Sequence, residues 1–454
     1  VNRIAIVGGG FSGAVAAICA IERASPGTTI CIYEPNAELG RGVAYATGPD
    51  HYLLNVVAHT LAIRPGLAGD FLAWALDTKP EATLYEELDG SYYFPRSWFG
   101  TYVGEKLRVA IAARSRDVQF VHRRAVVREL KPTKNGLVIV DHIDRQVFDT
   151  VVLALGSAPP RPLAINTSAQ SRPQVVQSAW DIADHPIAPG ARIVIVGTGL
   201  TMADVVAELD ARGHVGTIAC VSRHGRMPHV SGGYLRPFVP PQADPAMRAS
   251  ALLRRVRDWA RQSNRDLGDW RPAIDHARRH TTELWRALPS AERERLYRHA
   301  RPLWEVHRYQ MPPAAHRRLL RLGQAERLRH VCAQAIGVVE TGLLVRAAGQ
   351  PTTLPADVVI NATGFDASFG TALASLGPLL QITGLDLSHI QKFGLSIDDA
   401  GAVKGAVPPF AGRLFALGFL ARAAHGDLAN VQAIGETAEK LGVRLFARSP
   451  EIVS

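Results

Sequence analysis

RIAIVGGGFSG, residues Arg3 to Gly13, is an apolar run that stops in glycine. Ile4 to Val7 read as a buried strand, and the alanine-rich stretch Ala14–Arg23 as the helix behind it. Gly8, Gly10 and Gly13 stand between them in the spacing G-x-G-x-x-G. Gly8 makes the tight turn, Gly10 leaves a pyrophosphate free to approach the helix N-terminus, and Gly13 lets the helix pack on the strand. Phe11 and Ser12, in the first helical turn, belong to the same candidate site. The next strand, Thr29–Tyr33, ends in Glu34, whose carboxylate can accept hydrogen bonds from ribose hydroxyls. Arg41 and Gly42 follow and reach toward the same pyrophosphate, although Arg41 reads equally as a solvated loop charge. A glycine-rich turn with no ligand would not explain strand, glycines, helix, strand and acid in this order.

The same grammar returns three times, in VVLALGSAPP (Val151–Pro160), RIVIVGTGL (Arg192–Leu200) and DVVINATGF (Asp357–Phe365). Gly197 and Gly199, with Leu200 and Thr201 opening a helix, form a second nucleotide-binding turn. Its third glycine position holds Met202, which sacrifices close helix packing rather than phosphate access. The strand after it, Gly216–Val221, ends in Ser222 and Arg223 where an acid would favour NAD. A hydroxyl and a guanidinium suit the 2′-phosphate of NADP, with NADH still possible; a surface arginine is the competing reading. The fold class expected is therefore α/β, with two Rossmann-like dinucleotide-binding domains. A discontinuous FAD-binding domain would span 1–157 and 336–454, and a smaller NAD(P)H-binding domain 158–335. Strands are expected at Val118–Val121, Ala125–Leu130 and Leu137–Asp141, with Asn135-Gly136 as a hairpin turn. Val126 and Gly156 join the FAD-binding candidates. Proline-rich stretches at Ala158–Pro162 and Pro186–Gly190 mark the crossing between domains. Leu252, Leu253, Val256, Trp259 and Ala260 fall at helical spacing within an insertion expected over about 244–323.

With 454 residues, 47% of them hydrophobic and 20% charged, the chain has the composition of a well-packed globular protein of two domains. No run approaches the roughly 18 apolar residues of a membrane span, and no leader precedes the first strand, so the expected compartment is the cytoplasm. The four cysteines (Cys19, Cys31, Cys220, Cys332) have neither C-x-x-C nor metal-ligand spacing. They read as small buried hydrophobes, and the spacing argues against a disulfide reductase. No metal site is expected. Much of the net charge of +10 lies between Asp244 and Arg329, a stretch dense in arginine and without lysine. Its arginines alternate with acids in helical patterns, which favours a solvated face or a field for an anionic ligand over nucleic-acid binding. The sequence carries no signature of a particular oligomeric state.

GRGVAYAT (Gly40–Thr47), HYLLNV (His51–Val56), DFLAW (Asp70–Trp74), PRSWFGTYV (Pro95–Val103), GTGLTMADVV (Gly197–Val206), VSRHG (Val221–Gly225) and the span Asp269–Pro313 together resemble a bacterial family of FAD/NAD(P)-binding flavoproteins. The resemblance covers nearly the whole chain, and within the family it points to the FAD-dependent urate hydroxylase branch. NATGFD (Asn361–Asp366) is similar to the ATG-aromatic segment of flavin-containing and N-hydroxylating monooxygenases, making Thr363 and Gly364 cofactor candidates. In those enzymes an asparagine ahead of the first linker lies by the flavin ring, and Asn55 is the matching position. A residue that merely caps a turn is the alternative for Asn55. Around Val175–Trp180 the histidine of Baeyer–Villiger enzymes is missing and Gln177 stands nearby.

Asn55 and Arg96 are the candidate catalytic residues, with Trp98 a further pocket or core residue. Near the C-terminus, GRLFALGF (Gly412–Phe419) reads as a strand, and Asn430 and Val431 would open a helix aimed at the flavin pyrimidine. His307 and Arg308, on a helix end, suit either a cap or a substrate contact. The function implied is NADPH-dependent reduction of FAD and hydroxylation of a small polar substrate by molecular oxygen through a flavin C4a–oxygen adduct, with urate the leading substrate. An NAD(P)H:acceptor reductase and a redox-idle binding module are the alternatives.

Overall fold

The computed structural model describes residues 3–46, 48–233, 236–241, 247–365, 394–404, 410–426 and 431–447. Along the chain, β1 (Arg3–Val7), α1 (Phe11–Ile21) and β2 (Thr29–Tyr33) are followed by α2 (Asp70–Thr78), α3 (Arg96–Ala113) and β3 (Gln119–Arg123). The strands β4 (Glu129–Thr133), β5 (Gly136–Val140) and β6 (Arg145–Phe148) precede β7 (Thr150–Leu153). A second unit begins with β8 (Gln174–Val176), β9 (Ile193–Val196), α4 (Leu200–Ala211) and β10 (Ile218–Ser222). Five helices interrupt it: α5 (Ala249–Leu267), α6 (Arg271–Arg279), α7 (Thr281–Arg286), α8 (Ser290–Arg308) and α9 (Pro313–Gln324). It resumes with β11 (Leu328–Cys332), β12 (Gln334–Val339), β13 (Gly342–Ala347), β14 (Gln350–Pro355) and β15 (Val358–Asn361). β16 (Leu414–Ala416), α10 (Arg422–His425) and α11 (Val431–Phe446) follow.

Two parallel five-stranded sheets organise these elements, in the orders β16-β7-β1-β2-β3 and β11-β10-β9-β15-β8. Their central strands are apolar throughout because helices or small sheets cover both faces: Ile4, Ala5 and Ile6 are almost wholly buried, as are Ile193, Val194 and Ile195. Each sheet carries an antiparallel three-stranded companion, β4-β5-β6 on the first and β12-β13-β14 on the second. Helix α1 is buried along nearly its whole length between the first sheet, α3 and α11. A methyl group on Gly442 of α11 would come within 2.8 Å of the Cys19 carbonyl, so those two helices touch backbone to backbone.

The glycine segments pair up across the two units. Gly8 has φ +103°, and a Cβ there would lie 2.3 Å from the Ala154 carbonyl oxygen at the end of β7. Gly197 has φ +118°, and its Cβ would lie 2.3 Å from the Ala362 carbonyl at the end of β15. Both positions need glycine for conformation and for space. This equivalence corrects the expected return to the first domain at residue 336. Val358 pairs with Ile193 and β15 lies between β9 and β8, so the chain stays in the second sheet through Asn361, and among the described residues the next strand of the first sheet is β16. The Pro186–Gly190 stretch likewise lies inside the second unit, between β8 and β9.

Three local expectations shift as well. The strand expected at Ala125–Leu130 starts later, at Glu129, and Thr133 pairs with Gly136 so that Lys134 and Asn135 form the hairpin turn. Cys332 is exposed, whereas the other three cysteines are buried. Thr47, Asp244, Asp366 and Asp427–Asn430 lie outside the described residues. Among the described residues, no helix is long and apolar enough to cross a membrane.

Candidate functional site

A single cleft of about 2760 Å³ opens between the two sheets and runs beneath the helical insertion. Sites for one small ligand span roughly 300–1,000 Å³, so this volume accommodates more than one. Its floor at one end is the turn between β1 and α1, with Gly8, Gly10, Phe11 and Ser12. At the other end are Gly197, Gly199, Leu200 and Thr201, between β9 and α4. Neither helix has a side-chain N-cap, because Gly10 and Gly199 occupy those positions. Uncapped amides at a helix start carry partial positive charge and suit phosphate oxygens. A Cβ at Gly199 would meet nothing within 4 Å, and one at Gly10 would meet only the Gly42 backbone, 3.2 Å away. Gly199 thus faces open space where a pyrophosphate would run, and Gly10 borders the cleft at a close approach to Gly42 that leaves no room for a side chain. Gly13 is not part of the wall: its Cβ would stand 1.9 Å from the Gly8 carbonyl oxygen, so it serves the approach of helix to strand. Met202 occupies the equivalent place in α4 and is wholly buried.

Glu34, Arg41, Gly42, Val126 and Gly156 also line the cleft. Glu34 is partly committed already. One carboxylate oxygen accepts the Gly9 N–H at 2.9 Å, and the other accepts the backbone and side-chain N–H groups of Asn36 at 3.0 and 2.7 Å. With about four acceptor sites on a carboxylate, roughly one remains for a hydroxyl. Glu34 therefore also pins the glycine turn in place. Arg41 is held by Glu38 at 2.6 Å and by Ser97 and Thr101 on α3, so its guanidinium is engaged by protein rather than left in solvent. Val126 lies in the extended segment before β4 with its side chain exposed toward the cleft.

Asn55 sits on a short segment whose backbone is tied down on both sides. Leu54 N–H donates to Phe94 O, Arg96 N–H donates to Tyr52 O, and Arg96 Nε donates to Leu53 O at 3.1 Å. The Asn55 amide itself makes no hydrogen bond among the described residues and lines the cleft, so it does not serve as a turn cap. Arg96 opens α3, forms a 2.8 Å ion pair with Asp204 on α4, and lies over the Trp180 ring. Its geometry is that of a residue fixing the Asn55 segment against the second unit. Burial pushes the Asp204 carboxyl above its usual range, and the Arg96 cation opposes that shift. One turn along α4, Glu208 accepts from His51 at 2.8 Å, Tyr52 at 3.1 Å and Arg212 at 2.6 Å. Burial works against ionisation of Glu208, but these donors outweigh it and hold the carboxyl below its ordinary range. The face of α4 bearing Asp204 and Glu208 thus latches the two units together beside Asn55, an arrangement no local motif signals.

Ser222 and Arg223 reach the cleft at the end of β10. Ser222 Oγ accepts from Thr198 at 2.9 Å, while the Arg223 side chain is exposed and makes no hydrogen bond or ion pair among the described residues. Thr363 and Gly364 also line the cleft, the Thr363 hydroxyl donating to Asn361 Oδ1 at 2.7 Å. Buried Asn361 in turn donates to Arg161 O. Gln177 braces the crossing segment through Leu163, accepting its N–H at 2.8 Å and donating to its carbonyl at 3.1 Å. Trp98 is buried in the core with Phe94 rather than in the cleft. Val431 lines the cleft at the start of α11. Asn430 lies outside the described residues. The insertion contributes residues that the sequence did not single out as cleft wall, among them Arg278, Tyr297, Arg301 and Tyr309, because only tertiary docking turns α6 and α8 toward the cleft. Arg308 is nearly buried there, so it is not a surface residue at a helix end.

Residues 5–158 match the FAD-NAD(P)-binding family model. No curated protein sequence matches the chain. Solved structures share its fold over almost its entire length. An L-lysine 6-monooxygenase from Pseudomonas syringae matches with TM-score 0.63 and 16% identity, covering 98% of this chain and 99% of that chain. An ornithine N-hydroxylase from Kutzneria sp. 744, solved with reduced FAD, NADP+ and L-ornithine, matches with TM-score 0.61 and 15% identity over the same shares. A bacillithiol disulfide reductase from Staphylococcus aureus matches with TM-score 0.56 and 12% identity, again over 98% and 99%. At these identities the shared property is the fold.

Proposed function

We propose that this protein is an FAD-dependent, NADPH-consuming monooxygenase acting on a small polar substrate. One observation carries the choice. Both glycine turns and the Asn55 amide, which has no hydrogen-bond partner among the described residues, open into one cleft, and none of the four cysteines lines it. The fold is common to hydroxylases and disulfide reductases, but the second chemistry needs thiols at the flavin, and Cys19, Cys31 and Cys220 are buried in helix and strand cores.

When bound, FAD supplies the hydride-accepting and oxygen-activating electronics, and NADPH the reducing equivalents. The protein's part is placement. The α1 amides and Glu34 would hold the FAD pyrophosphate and ribose, and the α4 amides would hold the nicotinamide dinucleotide, with Arg223 available to its 2′-phosphate. Asn55 offers an amide that donates or accepts at the reacting face, held in place by Arg96. The start of α11, at Val431, faces the cleft where negative charge on a reduced ring would be favoured. With both cofactors in place, the insertion above the cleft would help keep water from the reacting centre.

Two of the solved structures of this fold are an ornithine N-hydroxylase and an L-lysine 6-monooxygenase, whereas urate rests on family resemblance alone, so amines, amino acids and purines including urate form the test panel. A substrate of the protein should couple one NADPH and one oxygen to each hydroxylated product. Asn55→Ala should divert the oxygen to peroxide while NADPH oxidation continues. An NAD(P)H:acceptor reductase would show no coupled product, would pass electrons readily to a quinone, and would be indifferent to Asn55→Ala.

A further inference from the structure

We infer that Asp204, through one water held in a small pocket shared with Asn55 and Arg96, delivers a proton to the reacting face of the cleft. The route rests on the flavin–oxygen reading proposed above, whose chemistry consumes a proton. NADPH, oxygen and one proton yield NADP+, water and the hydroxylated product; when oxygen leaves as peroxide instead, one proton is still taken up. A reacting centre screened from bulk water takes its protons along positioned side chains and single waters.

Behind Asn55 lies a second pocket, of about 10 Å³. Asn55, Arg96 and Leu200 line both this pocket and the main cleft, so they form the partition between the two. Asp204, His51 and Ala207 stand on the far side. A single water needs roughly 10–15 Å³ and two to four polar partners. The Asn55 amide, the Arg96 guanidinium, the Asp204 carboxyl and the His51 ring are available to it. Asp204 Oδ2 is buried, 2.8 Å from Arg96 Nη2. The other charged or titratable groups around Asp204 are His51 and Tyr52 ahead of Asn55, Glu208 on the next turn of α4, and Arg318 on α9. His51 and Tyr52 both serve Glu208, and Arg318 is paired with Asp210 at 3.3 Å. Arg96 is thus the main charge acting on Asp204, and it does not offset burial, which lifts the carboxyl above its ordinary range. In the acid form the Asp204 O–H bond breaks toward the water, and the water passes one of its own protons across the partition at Asn55. Arg96 balances the carboxylate left behind. His51 lines the same pocket with 20% of its side chain exposed, so the proton is replaced from solvent on that side.

Reoxidation of the NADPH-reduced, FAD-loaded full-length protein by oxygen tests the route without a known substrate, and infrared titration of the carboxyl tests it without turnover. In the wild type, reoxidation should slow as pH rises through the Asp204 pKa, because only the acid form carries the proton. The infrared band of a protonated carboxyl should vanish over the same range, above the ordinary aspartate value of about 3.9. Asp204→Asn should remove both the band and the pH step and slow reoxidation about a hundred-fold, the low end for a positioned acid. Asp204→Glu should restore part of the rate. Ala207→Val fills the pocket and leaves the carboxyl in place, so it should keep the band and lose the rate. A merely structural partner of Arg96 would not give that combination. Asp210→Asn breaks an ion pair between the same helix and α9 and should change neither readout. Should Asp204→Asn fail to fold, Ala207→Val and the wild-type titration decide. A pH step and rate that survive Asp204→Asn overturn the route, as does Ala207→Val reoxidising at the wild-type rate or a wild-type band already lost at the ordinary aspartate value. An intact relay in a protein that couples oxygen to no product in the panel would remove the monooxygenase reading and leave the proton route standing.

Discussion

Replacing Gly199 separates folding from nucleotide binding, because the structure gives this glycine no role in backbone conformation. Its φ and ψ of −83° and −167° are accessible to any residue, and a Cβ there meets no atom within 4 Å. Alanine should therefore be tolerated or should stabilise the fold by about 0.4–1 kcal/mol through the unfolded state. The added carbon projects into the cleft at the start of α4, where the dinucleotide pyrophosphate would lie. Valine, with two further methyl groups, should displace the phosphates from the α4 amides and lose about 1.5–3 kcal/mol per charge-assisted bond. That corresponds to a roughly ten- to hundred-fold rise in the Kd for NADP+, with flavin content unchanged because the first unit is untouched. Gly197, two residues earlier, is the contrast. Its φ of +118° and a Cβ 2.3 Å from Ala362 O should make alanine cost about 2–6 kcal/mol of stability. Urea denaturation paired with NADP+ titration of the FAD-loaded protein reads both effects. Wild-type NADP+ affinity in Gly199→Val, or a destabilised Gly199→Ala, would refute the assignment of this turn.

Arg223→Ala should raise the KM for NADPH about ten-fold or more and leave that for NADH nearly unchanged, since the guanidinium is available at the end of β10; equal losses with both cofactors would mark it as structural. His425 gives a pH dependence. Burial first, and then the Arg286 cation, lowers its pKa to about 4, with Asp399 opposing and Lys440 adding to the shift. The depressed value means that the neutral imidazole contributes stability above pH ~6.5, and that this is lost as pH falls toward 4, amounting to about 3 kcal/mol. His425→Asn should flatten that segment of a stability-versus-pH curve measured by urea midpoint, and an unchanged slope would discount the histidine.

The glycine turns were readable because each is a local object: strand, turn and helix are contiguous, and φ above zero at Gly8 and Gly197 follows from the turn itself. What the segments do to one another was not readable. DVVINATGF shares its grammar with VVLALGSAPP, and only the long-range register Val358↔Ile193 assigns it to the second sheet rather than the first. Residue type likewise fixed a candidate without fixing its engagement. Arg41 and Glu34 face the cleft yet are largely satisfied by Glu38, Gly9 and Asn36. Arg96, read as catalytic from its motif, braces Asn55 and pairs with Asp204, a contact between residues more than a hundred positions apart. The arginine wall was visible as composition, but which arginines turn inward depends on how α7 docks through Trp285.

The placement of α11 against α1 has a consequence for the order of biosynthesis. The first sheet takes its edge strand β16 and the helix covering α1 from residues beyond 410, whereas the second sheet is complete within residues 174–361. On the ribosome, β1 and α1 emerge before the second sheet and are completed after it. The second sheet can close around its own core while the apolar surface of α1, including Ala17, Cys19 and Ala20, still waits for its partner helix. Completion of the wall behind the first glycine turn is then a late event, set by the arrival of α11 rather than by the turn itself.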